Sequence, residues 1–299
     1  MFDKEAHELA HLYVDGALSR REMIRRARNI VGGVAAVSAA LNMMGTPIQA
    51  QMCGEDLRVP ADAEDLVGDN VVFPGEGSLL MAYLVKPKRE ETAPIPGVLV
   101  IHENRGLNDH IRDVTRRVAR AGFVALGIDL LSRQGGTGQF ATPTEQQQAY
   151  GRTTVDGRLA DMRSAVAYLR SQSDVRENRI GSVGFCAGGA NVWLLGTSGE
   201  EMTASVVYYG APVAAERIAD FKGALLCHYA ELDRNLTINS APVIPVLINQ
   251  RKTFGYMVHE GVGHAFNNDT GAAFNRGAAC EAWAKTIDFF NRHLNRAEE

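Results

Sequence analysis

The feature that most constrains the fold of this 299-residue chain is an alternation of short apolar runs with amphipathic helices from residue 66 onward. The runs PGVLVIHE (96–103), FVALGIDLL (123–131) and RIGSVGF (179–185) are apolar throughout, which is typical of strands buried on both faces. Residues 108–121 lie between the first two runs, and their apolar side chains recur at helical spacing. Strands that alternate with helices in this way predict an α/β fold with a mostly parallel sheet.

The flanking segments extend the same pattern. Residues 71–87 predict two short strands around a Pro-Gly turn, and residues 132–148, rich in Gly, Gln and Thr, are interpreted as a loop. Apolar stripes predict a helix through Val155 to Leu169 and a last helix with Trp283 facing inward. The remaining predicted strands are 204–210, 223–233 and 254–261, and the other inward residues of the last helix are Ile287 and Phe290.

Composition narrows the class of protein. The net charge is −4, with acidic and basic residues interspersed, so a nucleic-acid partner is not expected. The four cysteines, at positions 53, 186, 227 and 280, form no C-x-x-C pair. We therefore expect neither a disulfide framework nor a zinc or redox motif, and we expect reduced thiols. Composition leaves open whether the chain is a monomer or a homodimer.

Residues 1–65 differ in character from the body at 66–299 and are interpreted as an N-terminal extension. Arg20 and Arg21 precede a small-residue apolar run, 30–44, and an Ala50 that could end a cleavage site, as in a twin-arginine export signal. Ser19 and Glu22 alternatively form a capping box, which would make the extension a pair of packed helices. A periplasmic and a cytoplasmic location both remain open, and the apolar run is too short for stable membrane insertion.

Cys186 is the candidate nucleophile. It follows a predicted strand, precedes a predicted helix, and lies between Gly184 and Gly188 in the stretch VGFCAGG. This is the spacing of a nucleophile elbow with cysteine in place of serine, and a helix N-terminus favours a thiolate. The alternative is a buried structural cysteine at a tight turn.

His264 and Asp233 are the candidate base and acid. His264 lies after the last predicted strand and before the last helix, and Asp233 ends the run ALLCHYAELD. Nucleophile, acid and histidine in that chain order are expected when a carboxylate orients the histidine. His228 and His259 lie inside predicted strands and are interpreted as packed side chains, while Asp233 could instead cap an ordinary turn.

Glu103 ends the apolar run 96–103 and is followed by Asn104 and Arg105. A glutamate there could hydrogen-bond the thiol until substrate arrives, or it could be a solvated strand end. The backbone N–H groups of Ala187, directly after the nucleophile, and of Asn104, in an early strand–helix loop, are the candidate oxyanion-hole donors.

These residues together resemble one family. GFCAGG, the H-E after the early strand, the late L-D and GHAF are similar, in this order, to the dienelactone hydrolase (carboxymethylenebutenolidase) family over residues 66–297. The resemblance implies an α/β-hydrolase fold with a doubly wound sheet and a Cys186–His264–Asp233 triad. It also implies that Glu103 contacts the resting thiol, and that an enol-lactone ester is cleaved through an acyl-cysteine without cofactor or metal.

One position departs from the family. The founding enzymes bind the substrate carboxylate with an arginine four residues after the histidine, and this chain has Asn268 there. Arg105 could supply the charge instead. Two other functions stay open: a general serine-type esterase in which cysteine replaces serine, and a non-catalytic protein that binds small acids. Either enzyme would act on a small lactone or ester.

Overall fold

The computed structural model describes residues 57–295, so the predicted export signal or helical extension lies almost wholly outside the described residues. The chain divides after residue 57, and the second unit, Arg58–Glu299, holds every strand and helix discussed below. Within the described part there are eight strands: β1 (Leu66–Gly75), β2 (Ser78–Pro87), β3 (Ile95–Ile101), β4 (Val124–Asp129), β5 (Val175–Phe185), β6 (Ala204–Tyr208), β7 (Ala224–Ala230) and β8 (Phe254–His259).

The strands form one sheet in the order β1-β2-β4-β3-β5-β6-β7-β8. β1 and β2 form the predicted hairpin, and β2 pairs antiparallel with β4, whereas every other neighbouring pair is parallel. The predicted doubly wound, mostly parallel sheet is therefore confirmed. The chain adds β4 on one side of β3 and then crosses to add β5 on the other side, so the strand order reverses at β3. The carboxyl ends of β3 and β5 therefore flank the crevice where ligands bind in such sheets.

Seven helices cover the described sheet: α1 (Asp109–Arg120), α2 (Pro143–Gly151), α3 (Val155–Arg170), α4 (Ala187–Gly196), α5 (Arg234–Ser240), α6 (Val243–Asn249) and α7 (Arg276–Leu294). Short 3₁₀ turns occupy 132–134, 137–139 and 215–220. Within residues 57–295 no helix is both long and apolar enough to cross a membrane.

Two apolar cores explain why the strands are apolar throughout. Val98 and Val100 of β3 pack with α1 and α7 on one face, while Leu99 and Ile101 pack with α3 and α4 on the other. Because side chains alternate between the faces of a strand, covering both faces with helices requires apolar residues at every position. In α7, Ile287 and Phe290 face the first core as predicted, and Trp283 packs at its margin.

The structure corrects two expectations. Residues 132–148 are not a loop throughout, because α2 begins at Pro143; Thr142 and Glu145 form a capping box there and proline occupies the first turn. Cys280 is disulfide-bonded, so the expectation of four reduced thiols is wrong at this position. A bridge needs only cysteines that meet in space, which spacing along the chain does not reveal. Cys186 and Cys227 are free.

Gly188 offers a test of how tightly the first turn of α4 packs against the end of β3. A Cβ atom at Gly188 would lie 2.2 Å from the carbonyl oxygen of Ile101, and that backbone cannot move aside easily. We expect Gly188→Ala to lower the free energy of unfolding by about 1–3 kcal/mol because of overpacking. Gly138→Ala is the control, since a Cβ there meets no described atom within 4 Å. Equal denaturation midpoints for the two variants would contradict the packing argument.

Candidate active site

Cys186 lies at the turn between β5 and α4 in a backbone conformation that side chains rarely adopt. Its φ is 53° and its ψ is −115°, a strained geometry of a kind that clusters at active sites. The backbone N–H of Cys186 donates to the carbonyl of Tyr208 at 3.0 Å, which holds the turn against β6. A Cβ at Gly184 would lie 2.2 Å from the carbonyl oxygen of Gly188, so the turn closes only with glycine there. The predicted strand–elbow–helix is present, with a half-buried thiol at its tip.

His264 and Asp233 come together although 31 positions separate them in the chain. Asp233 follows β7 and His264 lies in the loop between β8 and α7. The Nδ1–H of His264 donates to Oδ2 of Asp233 at 2.6 Å. Asp233 is at the N-cap of α5, yet its side chain makes no capping hydrogen bond, so the alternative of an ordinary turn cap does not apply. The hydrogen bond fixes the tautomer that leaves Nε2 free to accept a proton.

The electrostatic surroundings keep His264 protonated to unusually high pH. Hydrogen bonding to Cys186 raises the pKa of His264 to about 9, against the opposing effect of burial and with further help from Asp233. Because this pKa is raised in the folded protein, the bound proton stabilises the fold fully below the ordinary value of 6.5. That contribution is lost as the pH rises through about 9. Cys186, His264 and Asp233 thus form one electrostatic unit.

Glu103 is buried beside this unit, just after β3, and is not a solvated strand end. Its Oε2 accepts a hydrogen bond from Nδ2 of Asn268 at 2.8 Å. Oδ1 of Asn268 accepts from the backbone N–H and the hydroxyl of Thr270, at 3.0 and 2.7 Å, so the amide can present only its NH₂ group to Glu103. Oε1 of Glu103 is buried with no hydrogen-bond partner among the described residues. The expected contact with the thiol therefore stays a prediction.

The predicted oxyanion-hole donors lie in the two segments that flank the thiol. Ala187 is the first residue of α4, and Asn104 follows Glu103 in the loop between β3 and α1. Both residues are half-buried, and within residues 57–295 neither backbone N–H donates a hydrogen bond. Arg105 is exposed and makes no ion pair with a described residue. No group of three or more possible metal-ligating side chains occurs in the described part of the chain.

Sequence reasoning missed two aromatic walls of the site. The ring of Tyr209 lies 5.0 Å from that of His264, centroid to centroid, and the residue has a φ of 39°. Tyr150 of α2 accepts a hydrogen bond from Asn191 at 3.0 Å, and burial raises its pKa against the opposing effect of Arg158. Tyr209 directly follows β6, so the strand-end rule that selected Glu103 could have found it. No such signal marks Tyr150, because its helix was itself not predicted.

The two rival histidines lie away from the thiol. Nδ1 of His228 is 3.0 Å from Nε2 of His259, and the other nitrogen of His228 is 3.2 Å from the hydroxyl of Thr286. Burial, then the neighbouring His259, lowers the pKa of His228 well below its ordinary value. They form a buried polar pair between β7, β8 and α7.

Comparisons with known proteins match this architecture. The model of the dienelactone hydrolase family matches residues 80–294. The chain belongs to the dienelactone hydrolase family. It is 28% identical to a "Putative carboxymethylenebutenolidase" of Methylorubrum extorquens, over 98% of each chain. It is 30% identical to a "Probable 2-oxo-3-(5-oxofuran-2-ylidene)propanoate lactonase" of a Bradyrhizobium species, over 77% of this chain and 96% of that one.

A crystal structure of a "Putative Dienelactone Hydrolase" from Klebsiella pneumoniae has the same fold. The TM-score is 0.70 at 24% identity, and the match covers 76% of this chain and 99% of that one. The chain is accordingly a hydrolase of the dienelactone hydrolase family with the α/β-hydrolase fold.

The relative sizes of the effects of Cys186 and Asp233 on the pKa of His264 can be measured. Because hydrogen bonding to the thiol is the largest cause of the raised pKa, we expect Cys186→Ala to lower the pKa of His264 more than Asp233→Asn does. Nuclear magnetic resonance titration of the imidazole measures both shifts, with the other histidines as internal controls. A larger fall in Asp233→Asn would contradict the assignment of the thiol as the dominant partner.

Proposed function

We propose that this hydrolase cleaves a lactone or an activated carboxylic ester through an acyl-cysteine intermediate on Cys186. The observation that carries the proposal is the free thiol on a strained elbow beside a histidine that bonds a carboxylate at 2.6 Å. A nucleophile, a base and a group that orients the base are the parts that acyl transfer requires. The dienelactone hydrolase family supplies the substrate class.

In the first half of the reaction, the sulfur of Cys186, paired with protonated His264, attacks the ester carbonyl as a thiolate. A carbon–sulfur bond forms and the carbonyl electrons move to oxygen. The N–H groups of Ala187 and Asn104 are the proposed donors to this oxyanion, since both flank the thiol and have no other described acceptor. Collapse of the intermediate breaks the carbon–oxygen bond and expels the enolate or alcohol, which receives its proton from His264.

In the second half, His264 removes a proton from water, and the resulting hydroxide equivalent attacks the thioester. The carbon–sulfur bond breaks, the acid leaves, and the released sulfur is again paired with protonated His264. Asp233 holds the ring through both halves, and it stabilises the positive charge that develops each time. One water is consumed, and the products are an acid and an alcohol or the keto form of an enol.

Substitution of the nucleophile tests the central claim. We expect Cys186→Ala to lower kcat/KM on enol-lactones and aryl esters by about three orders of magnitude or more, because the covalent route is lost. Cys186→Ser separates the two enzyme hypotheses: a site tuned for a thiol loses most activity, whereas a general esterase keeps or raises ordinary ester turnover. Equal activity of wild type and Cys186→Ala would sink the proposal. Failure of iodoacetamide to label Cys186 selectively near neutral pH would favour a non-catalytic binding protein.

Arg105 is the residue proposed to bind the carboxylate of the substrate. The residue two positions before it, Glu103, is buried at the site, and the arginine side chain itself is exposed with no described ion-pair partner. We expect Arg105→Gln to raise KM about tenfold for esters that carry a carboxylate, since a charge-assisted hydrogen bond is lost. Matched neutral esters serve as the control and should change little. An equal change for both substrate sets would contradict a role in charge recognition.

A further inference from the structure

The loop that carries His264 has no regular secondary structure of its own. It runs from residue 260 to residue 275, between β8 and α7, and is hereafter the histidine loop. Four backbone hydrogen bonds brace it internally, among them those from Asn268 to Ala265 and from Asn275 to Phe266, both at 2.9 Å. Long loops without secondary structure hold a catalytic group in place only if something fixes them to the scaffold.

Asp269, five positions after His264, attaches the loop to α1. One carboxylate oxygen, Oδ1, accepts from Nδ1 of His110 at 2.9 Å. The other, Oδ2, accepts from Arg117 at 2.6 Å and from Arg58 at 3.1 Å. The Asp269 side chain is only 7% exposed, and its contacts with His110 and Arg117 are shielded from solvent. Three donors from outside the loop therefore converge on one buried carboxylate.

Two of the three donors, His110 and Arg117, lie on α1, where Arg117 belongs to a larger charged cluster. Arg117 also donates to Asp113, and Asp113 accepts from the backbone N–H of Val59 at 2.6 Å. Burial alone would raise the pKa of Asp269, but the hydrogen bond from His110 and the charge of Arg117 outweigh it, and the pKa lies well below its usual range. The carboxylate is thus charged at every pH at which the enzyme is expected to work. Removing that charge would leave Arg117 and His110 short of a partner in a buried setting.

The position of this cluster relates it to the active site. His110 is the second residue of α1, the helix that directly follows the loop with Glu103, Asn104 and Arg105. On the other side, the residue before Asp269 is Asn268, which donates to Glu103. Asp269 therefore joins the two loops that flank the thiol. None of its contacts involves the thiol or the reacting atoms.

We propose that Asp269 is a positioning residue, which sets the placement of His264 against Cys186 by tying the histidine loop to α1 through His110 and Arg117. This inference rests on the proposed cysteine mechanism. It adds that the rate of the chemical steps depends on a carboxylate outside the triad. The same bonds also tie Arg58, at the beginning of the second unit, to the histidine loop.

Asp269→Asn is the principal variant, because it keeps the size of the side chain and removes the charge. The readouts are kcat and KM on an aryl ester and the pH profile of the iodoacetamide alkylation rate of Cys186, which needs no turnover. We expect kcat to fall by about tenfold or more with KM little changed, since a misplaced base slows chemistry and not binding. The alkylation profile should move toward that of His264→Ala. Asp269→Glu should recover part of both.

Arg120→Gln is the matched control on the same helix. It removes an exposed ion pair, Arg120 with Asp65 at 2.7 Å, that has no link to the histidine loop. We expect kcat and the alkylation profile of this variant to match wild type. Arg58→Gln covers the case in which Asp269→Asn does not fold, because the Arg58 side chain is 54% exposed and its loss should leave the fold intact. We expect kcat of Arg58→Gln to fall as well, but only about twofold.

The outcomes separate this inference from the proposed function. Unchanged kcat and an unchanged alkylation profile in folded Asp269→Asn would overturn the positioning role. So would a loss of activity that Arg120→Gln reproduces. If Cys186→Ala were as active as wild type, the proposed mechanism would fail. The alkylation profile would still report whether Asp269 places His264 beside the thiol.

Discussion

The close approach of two backbones, at the end of β3 and at the turn after β5, is the constraint on which the rest of the site depends. The glycines on either side of Cys186 let the turn pass within a few ångströms of the Ile101 and Gly188 carbonyls. That approach aligns the carboxyl ends of β3 and β5, so Glu103 and Asn104 emerge next to Cys186 and Ala187. It also forces Cys186 to a positive φ, and a strained residue persists only where its surroundings over-determine it. Here the sheet, packed on both sides of the turn, holds Cys186 in this conformation.

The charged and titratable side chains near this turn form two separate groups. Cys186, His264 and Asp233 carry out the proposed chemistry and exchange protons. Asp269, held by Arg117 and His110, stays ionised and takes no part in that chemistry. The separation matters because a carboxylate that anchors a loop must stay ionised while the proposed mechanism has His264 gain and lose a proton. The short stretch from His264 to Asp269 connects them mechanically, without placing a second negative charge beside the thiol.

Most of the fold and the grouping of residues at the candidate site could be predicted from the sequence because both depend on patterns local to a strand and its end. Buried strands are apolar throughout, and the residues that end them, Glu103, Cys186 and Asp233, stand out as polar. The contacts of Asn268 and Asp269 could not be predicted in this way. They depend on which side of a long loop faces α1, and no periodicity governs an irregular segment. The disulfide bond of Cys280 could not be predicted for the same reason, since it depends on which residues meet in space. The start of α2 was marked by a capping box, but the Gly-, Gln- and Thr-rich composition around it favoured a loop.

The amide at position 268 has a consequence for the substrate. Thr270 fixes the orientation of Asn268, which therefore donates to Glu103 and contributes no net charge. Where the founding enzymes of the family have an arginine, Glu103 here accepts a hydrogen bond from a neutral amide. A substrate carboxylate that approached Asn268 would meet the carboxyl group of Glu103 and no cation, which makes a poor binding site for an anion. We therefore expect an anionic substrate to orient its carboxylate toward Arg105, two residues after Glu103, and away from Asn268. A substrate group that does lie against Asn268 should be neutral.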